Sequence, residues 1–305
     1  MTERIPEGTP FVFGDEVFHF GDDIVELKDS SNDIDNPERL WSSLREDGYL
    51  YLRGFHDREL AKKATHWTLH AIDERGGLAP GTDASDGMIS EANHNFPFFR
   101  VLPVAHGKPI LDVVDSEATF SFYQRMFGKP VMTFDKRWLR SMAKGGHNHF
   151  HYDSVYLGRG TQNRLSMWTA LTSTALDGGP LVVALGSHEH ERLIETYGAT
   201  DMDRDLTDAV FTSDPRELVR DFGFTLGTAP FEPGDAVIFG LYTMHSTAPN
   251  LSDRYRISID TRYQPADEEP DERFMFRDNG RWLGNFYNEG AEYTPMSELR
   301  AWWGI

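Results

Sequence analysis

Residues 147–157, HNHFHYDSVYL, decide how the chain is read, because His147, His149, His151 and Asp153 recur at every second position. In an extended strand, residues two apart share a face. The spacing therefore predicts one strand face carrying three imidazoles and a carboxylate. The run has company. VMTFDKRWLRSMA (131–143) precedes it, and RLSMWTALT (164–172), GPLVVALGS (179–187), DAVIFGLYTMHS (235–246) and RYRISIDTRYQ (254–264) follow. Each is short, rich in β-branched and aromatic residues, and bounded by Gly, Pro or Asp. Such a series predicts an antiparallel barrel or sandwich in the second half of the chain.

Working back toward the N-terminus, the pattern changes. FVFGDEVFHFGDDIVELKD (11–29) alternates apolar and polar residues, as a hairpin or two short strands do. PERLWSSLREDG (37–48) has Leu40, Trp41 and Leu44 at helical spacing with Gly48 placed to stop the helix, and YLYLRGF (49–55) follows as a buried strand. A second helix is expected from near Asp57 through residue 75, and a third from Pro109 to Phe127. Between them, Gly76 to Gly107 is rich in Gly, Pro, Asn and Asp, a long loop of the kind that forms lids and substrate walls. Residues 189–230 read as a second insertion over the barrel mouth, and ADEEPDER (266–273) as a solvated loop. The expected plan is one domain over 1–305: an N-terminal layer (1–130), a β core (131–265) and a C-terminal extension (266–305).

Composition narrows the chemistry. The 305 residues include no cysteine, which excludes disulfides, thiolate-held clusters and cysteine nucleophiles, so any metal must be held by histidine and carboxylate. Lys and Arg number 30 against 49 Asp and Glu, a net charge of −19. That balance argues against nucleic acid and against an anionic membrane surface as partners. No window approaches the roughly 18 apolar residues of a spanning helix, and the polar start, MTERIPEGTP, lacks a signal-peptide core. A cytoplasmic protein is the expectation.

Among twelve histidines, spacing does the sorting. His151 and Asp153 form an H-x-D pair, the local part of a two-histidine, one-carboxylate triad for non-haem iron(II) that leaves three coordination positions open. His245, closing a strand after the turn at residues 232–235, is the candidate third ligand. A cupin-like site using His147, His149 and His245 competes with it. His66 and His70, four apart on a helix, lack the glutamate of an H-E-x-x-H zinc motif.

What surrounds the two halves resembles the phytanoyl-CoA dioxygenase-like family of iron(II)/2-oxoglutarate oxygenases. The shared features run in order: His151 and Asp153; Trp168, Ala170 and Leu171; Gly178, Gly179, Pro180 and Leu181; Gly186, Ser187 and His188; then His245, Thr247, Pro249, Asn250, Ser252 and Arg256. The resemblance spans about residues 40 to 263. It implies a mostly β fold with flanking helices: a double-stranded β-helix (jelly-roll, cupin-like) core, an N-terminal helical layer and lid insertions.

The resemblance also implies roles. His151, Asp153 and His245 would hold iron(II), and 2-oxoglutarate and dioxygen would take the open positions. Arg256, eleven residues beyond His245, matches the family's arginine for the far carboxylate of 2-oxoglutarate, a geometry that guanidinium suits better than ammonium. Ser258 and Thr247 are hydroxyl donors to the same cosubstrate, and Trp168 reads as a core residue sooner than a substrate wall, or as a border of the cosubstrate pocket. Arg254 and Arg262 share the parity of Arg256, so parity alone does not choose among them; the offset from His245 does. Arg137 and Trp138 are further pocket candidates. The implied reaction couples decarboxylation of 2-oxoglutarate, with release of succinate and CO2, to oxidation of an unactivated C–H bond of a small molecule. An aspartate at 153 points to hydroxylation, desaturation or oxidative ring closure, not halogenation. The acidic chain and Gly/Asp-rich loops suggest a cationic, hydroxyl-rich substrate of the aminoglycoside type. Two other readings compete: a cupin-like metalloenzyme without a 2-oxo acid, and a non-catalytic barrel that binds a small molecule.

Overall fold

The computed structural model describes residues 4–94, 96–98, 101–277 and 291–305. The chain begins with a hairpin, β1 (Pro10–Phe13) and β2 (Glu16–His19), followed by β3 (Ile24–Glu26). Helix α1 (Pro37–Asp47) starts where the Asn36 side chain accepts from Arg39 N, with Pro37 in the first turn where its missing N–H costs nothing. It ends at Gly48, whose φ of 81° suits a residue without Cβ. Strand β4 (Tyr49–Leu52) is buried throughout. Helix α2 (Arg58–Asp73) is capped by Asp57 Oδ1, which accepts from both Glu59 N and Leu60 N. Then come α3 (Leu102–Ala105), α4 (Lys108–Val114) and α5 (Glu117–Phe127). The single helix expected from 109 to 127 is thus two. Ser116 separates them, its Oγ accepting from Thr119 N to start a new helix.

The second half carries β5 (Val131–Thr133), β6 (Trp138–Met142), β7 (Asn148–His151), α6 (Asp153–Leu157), β8 (Leu165–Ala170), β9 (Leu181–Leu185), α7 (Glu191–Glu195) and α8 (Pro215–Arg220). After these come β10 (Thr225–Thr228), β11 (Ala236–Gly240), β12 (His245–Thr247), β13 (Arg256–Pro265) and α9 (Met296–Trp303). They form a five-stranded sheet, β3-β10-β9-β12-β7, and a six-stranded sheet, β4-β11-β8-β13-β5 with β6 also paired to β13. Only β3 runs parallel to its neighbour among the described pairs. The stretch 189–230 is therefore not all insertion, since its end, β10, is an inner strand. Parts of the expected loop (95, 99 and 100) and C-terminal extension (278–290) lie outside the described residues.

Strand alternation assembles the layers. Leu181 and Val183 of β9 join Tyr49, Tyr51, Trp168, Ala170, Val237 and Phe239 of the six-stranded sheet in one core between the sheets. Val182 and Ala184 turn the other way, onto the N-terminal hairpin and the 193–224 region. Leu50, Leu52, Met167, Ile238, Ile257 and Ile259 face outward onto helices α1, α2, α4 and α5. Both faces of each sheet are covered, which is why these strands read as continuous apolar runs. Among the described residues the helices hold more of the chain than the strands. The architecture is mixed α/β, a correction to the expectation of a mostly β chain.

Candidate metal and cosubstrate site

His151 ends β7 and His245 begins β12, and the two are paired across the antiparallel ladder. Their rings lie 4.4 Å apart. Asp153 does not continue the strand: it opens α6, and that turn swings its carboxylate inward, where it is 1% exposed. One ligand atom from each of the three residues lies within 4.8 Å of the others. His151 Nδ1 is bonded to the carbonyl of His149 at 2.8 Å and His245 Nδ1 to that of Thr243 at 2.9 Å. A carbonyl only accepts, so each ring carries its proton on Nδ1 and presents a bare Nε2.

Electrostatics favours the same protonation. Burial, reinforced by His245, pushes the His151 imidazole down to about 3. Burial also lowers His245. For Asp153, burial raises the carboxyl, but Arg262 beside it, then the two imidazoles and Ser166, hold it below the ordinary carboxylate range. Two neutral donors and one anion are what a divalent ion at this position requires.

The expected face of three histidines is not formed. His245 pairs with His151 but Thr247 pairs with Asn148, so β7 has one residue more than β12 over this stretch. That bulge breaks the alternation. His147 and His149 are exposed, their rings 5.0 Å apart, and neither joins the triad. Asn148 lines a groove beside His147. Tyr152 packs into the core behind the sheet.

Strand β13 presents Arg256, Ser258, Asp260 and Arg262 on one face, toward the other sheet, with Ile257 and Ile259 on the outer face. Contacts divide the arginines that parity could not. Arg254 bonds Asp86 at the surface. Arg262 Nη2 donates to both oxygens of Asp153, at 3.1 and 2.9 Å. Arg256 is 2% exposed, and among the described residues it hydrogen-bonds no carboxylate, with Asp260 acting on it only electrostatically: Nη1 donates to Ser258 Oγ at 2.6 Å, while Nε and Nη2 have no hydrogen-bond partner there. Burial, with Arg140 adding, brings its guanidinium down to about 9. A buried cation with unused donors fits an anionic ligand group such as a carboxylate.

The other expected residues fall as follows. Thr247 Oγ1 accepts from Asn148 N at 2.9 Å, which leaves its own proton to donate. Trp168 sits on the inner face with Nε1 unpartnered, against Phe231. Trp138 lies under Arg262, its ring centroid 4.4 Å from the guanidinium. Arg137 turns away from the site to Asp115, between α4 and α5. His188 bonds the carbonyl of Arg45. Sequence reasoning missed Ser166, whose hydroxyl donates to Asp153 Oδ2, and Phe239, whose ring lies 4.3 Å from His245. Their parity with Trp168 and Val237 was the available signal. Two adjoining grooves of 740 and 450 Å³ share His94 and Lys144 and reach Arg140 and Asn148.

A family model described as phytanoyl-CoA dioxygenase (PhyH) matches residues 44–258, an interval containing the triad and Arg256. The chain belongs to the PhyH family. It is an iron(II)/2-oxoglutarate-dependent dioxygenase, so the readings without a 2-oxo acid and without catalysis are set aside. Among PhyH relatives, 1-deoxypentalenic acid 11-beta-hydroxylase of Streptomyces arenae is 30% identical over 245 residues, covering 76% of this chain and 83% of the relative. The Streptomyces exfoliatus hydroxylase of the same name is 28% identical, covering 80% and 87%. Among solved folds, EctD from S. alaskensis in its apoform superposes with a TM-score of 0.56 at 16% identity, covering 90% of this chain and 92% of that one. The epimerase SnoN in complex with Fe3+, alpha ketoglutarate and nogalamycin RO gives a TM-score of 0.50 at 18% identity, covering 85% and 93%.

Proposed function

We propose that this PhyH protein hydroxylates an apolar small-molecule natural product, with His151, Asp153 and His245 holding iron(II) and Arg256 anchoring 2-oxoglutarate. The observation that carries the reading is the convergence of three ligand atoms on the inner face that also holds a buried, partly unpartnered guanidinium. Iron and 2-oxoglutarate, when bound, supply with dioxygen the oxidation of an unactivated C–H bond, releasing succinate and CO2. The chain's share is placement. Backbone carbonyls fix both imidazoles, Arg256 takes the far carboxylate in a fork, and Ser258 steadies Arg256 while Thr247 offers a second hydroxyl. Trp168 and Phe239 keep the floor of the site apolar and dry. The two packed sheets are read as a double-stranded β-helix, and residues 1–305 as one domain, supported by Ile5 and Leu299 packing on the same core.

For the substrate, an aminoglycoside has no support. Pro80, Met88, Ile89, Pro97 and Met142 give the grooves an apolar wall, which suits an apolar skeleton better than a polyhydroxylated sugar. The relatives that hydroxylate 1-deoxypentalenic acid favour a carbocyclic acid and hydroxylation over ring closure. Succinate release with 1-deoxypentalenic acid, kanamycin or no addition tests this. The acid is expected to stimulate turnover and kanamycin not to; stimulation by kanamycin alone would sink the substrate reading. Arg256→Ala should raise the 2-oxoglutarate concentration needed by roughly a hundredfold, the scale of a lost buried charge partner. An unchanged requirement would remove Arg256 from the role.

A further inference from the structure

A carboxylate binds a metal through one oxygen or two, and the choice decides how many positions stay open. With two imidazoles and one carboxylate oxygen, an octahedral ion keeps three positions; with both oxygens it keeps two. A chelating 2-oxo acid would then leave none for dioxygen. What fixes the orientation of Asp153 is therefore a functional matter.

The two oxygens are held unequally. Oδ2 accepts from Ser166 Oγ and from Arg262 Nη2, while Oδ1 has Arg262 alone, at the longer distance of 3.1 Å. It is Oδ1 that lies toward the histidine, 3.8 Å from His151 Nε2. Arg262 is held by packing, its Nε and Nη1 having no hydrogen-bond partner among the described residues. It is 4% exposed, lies over the Trp138 ring, and stands beside Ser166 in the β8–β13 ladder. Ser166 and Arg262 thus approach the carboxylate from one sheet, while both imidazoles come from the other.

We propose that Arg262 and Ser166 are positioning residues that turn Asp153 Oδ2 into the six-stranded sheet, so that only Oδ1 serves iron and a third position stays open. The inference rests on the iron and 2-oxoglutarate reading above. Neither residue touches the reacting atoms. Their effect passes through Asp153, and outer partners of metal ligands typically change affinity or activity about ten- to a hundredfold.

The test uses the full chain with iron(II) and 2-oxoglutarate under anaerobic conditions, following the visible charge-transfer band of the chelate, in Ser166→Ala, Arg262→Met and Arg262→Lys. Circular dichroism and thermal melting check folding. Freed of its second anchor, Asp153 Oδ2 closes on iron as well, and the chelating 2-oxo acid must then displace it or fill both remaining positions of a more crowded ion, so the chelate forms less readily and its band shifts. The band midpoint should move to roughly tenfold higher 2-oxoglutarate in Arg262→Met, rise less in Ser166→Ala, and recover partly in Arg262→Lys. Folded variants with the wild-type midpoint and band position overturn the proposal. If Arg262→Met does not fold, Ser166→Ala decides by the same criterion. A wild-type chain with no band removes the iron and 2-oxoglutarate reading, and this proposal with it; a wild-type band with unmoved variants removes only the proposal.

Discussion

Burial controls the histidines of this chain individually. His56 is 5% exposed, its Nε2 bonded to Thr169 Oγ1 at 3.2 Å, and burial brings it down to about 3. The unfolded chain, with histidine near 6.5, therefore binds the extra proton between these two values. Its contribution to stability is full above about pH 6.5 and is lost as pH falls toward 3, by up to about 1.4 kcal/mol per pH unit. Urea melts of wild type and His56→Gln between pH 7 and 4 should show a shallower pH dependence in the variant; parallel curves would contradict it. Nothing in the sequence marks His56 as different from His66 or His70, because its character comes from the helices and strand that close over it. His151, Asp153 and His245 were legible, since H-x-D and the distal histidine are local patterns. Arg256 was singled out by its offset from His245, but the contact of Arg262 with Asp153 was not legible, because that carboxylate comes from a residue over a hundred positions away.

At the level of elements, the sequence was most readable where stop and start signals are chemical, as at Asn36, Gly48 and Asp57. It was least readable where two signals compete. Ser116 interrupts an apolar pattern that continues across it, and the bulge in β7 cannot be seen without the partner strand. The Gly178–Gly179–Pro180 turn shows a motif acting through shape. Gly179 has a φ of 79°, and a Cβ there would lie 2.9 Å from Ala248 O and 3.1 Å from Asn250 N. Asn250 in turn ties Met142 O and Arg254 O through Nδ2, and accepts from Ser252 Oγ. These motif positions clamp the strands that carry His245 and Arg256. Gly179→Ala should cost about 1–3 kcal/mol through strain and crowding, read as a lower urea midpoint. An unchanged midpoint would show that the turn tolerates a side chain.

Across the whole molecule, the charge of −19 and the site point in opposite directions. The surface is acidic, whereas the face between the sheets carries Arg256 and Arg262, buried, with only Arg262 facing the Asp153 carboxylate. Net charge is a statement about solvent and solubility, and it does not identify the substrate. The fold was recoverable in outline because strands buried on both faces read as apolar runs. Its helical share was underestimated, since α3, α6, α7 and α8 are too short to show a period. The central claim is the identity of the iron ligands. A crystal grown anaerobically with iron(II) and 2-oxoglutarate measures it directly through the anomalous signal of iron. The account predicts one iron bonded to His151 Nε2, His245 Nε2 and Asp153 Oδ1, with the far carboxylate of 2-oxoglutarate on Arg256. Iron held by His147 or His149, or a 2-oxo acid away from Arg256, would contradict it.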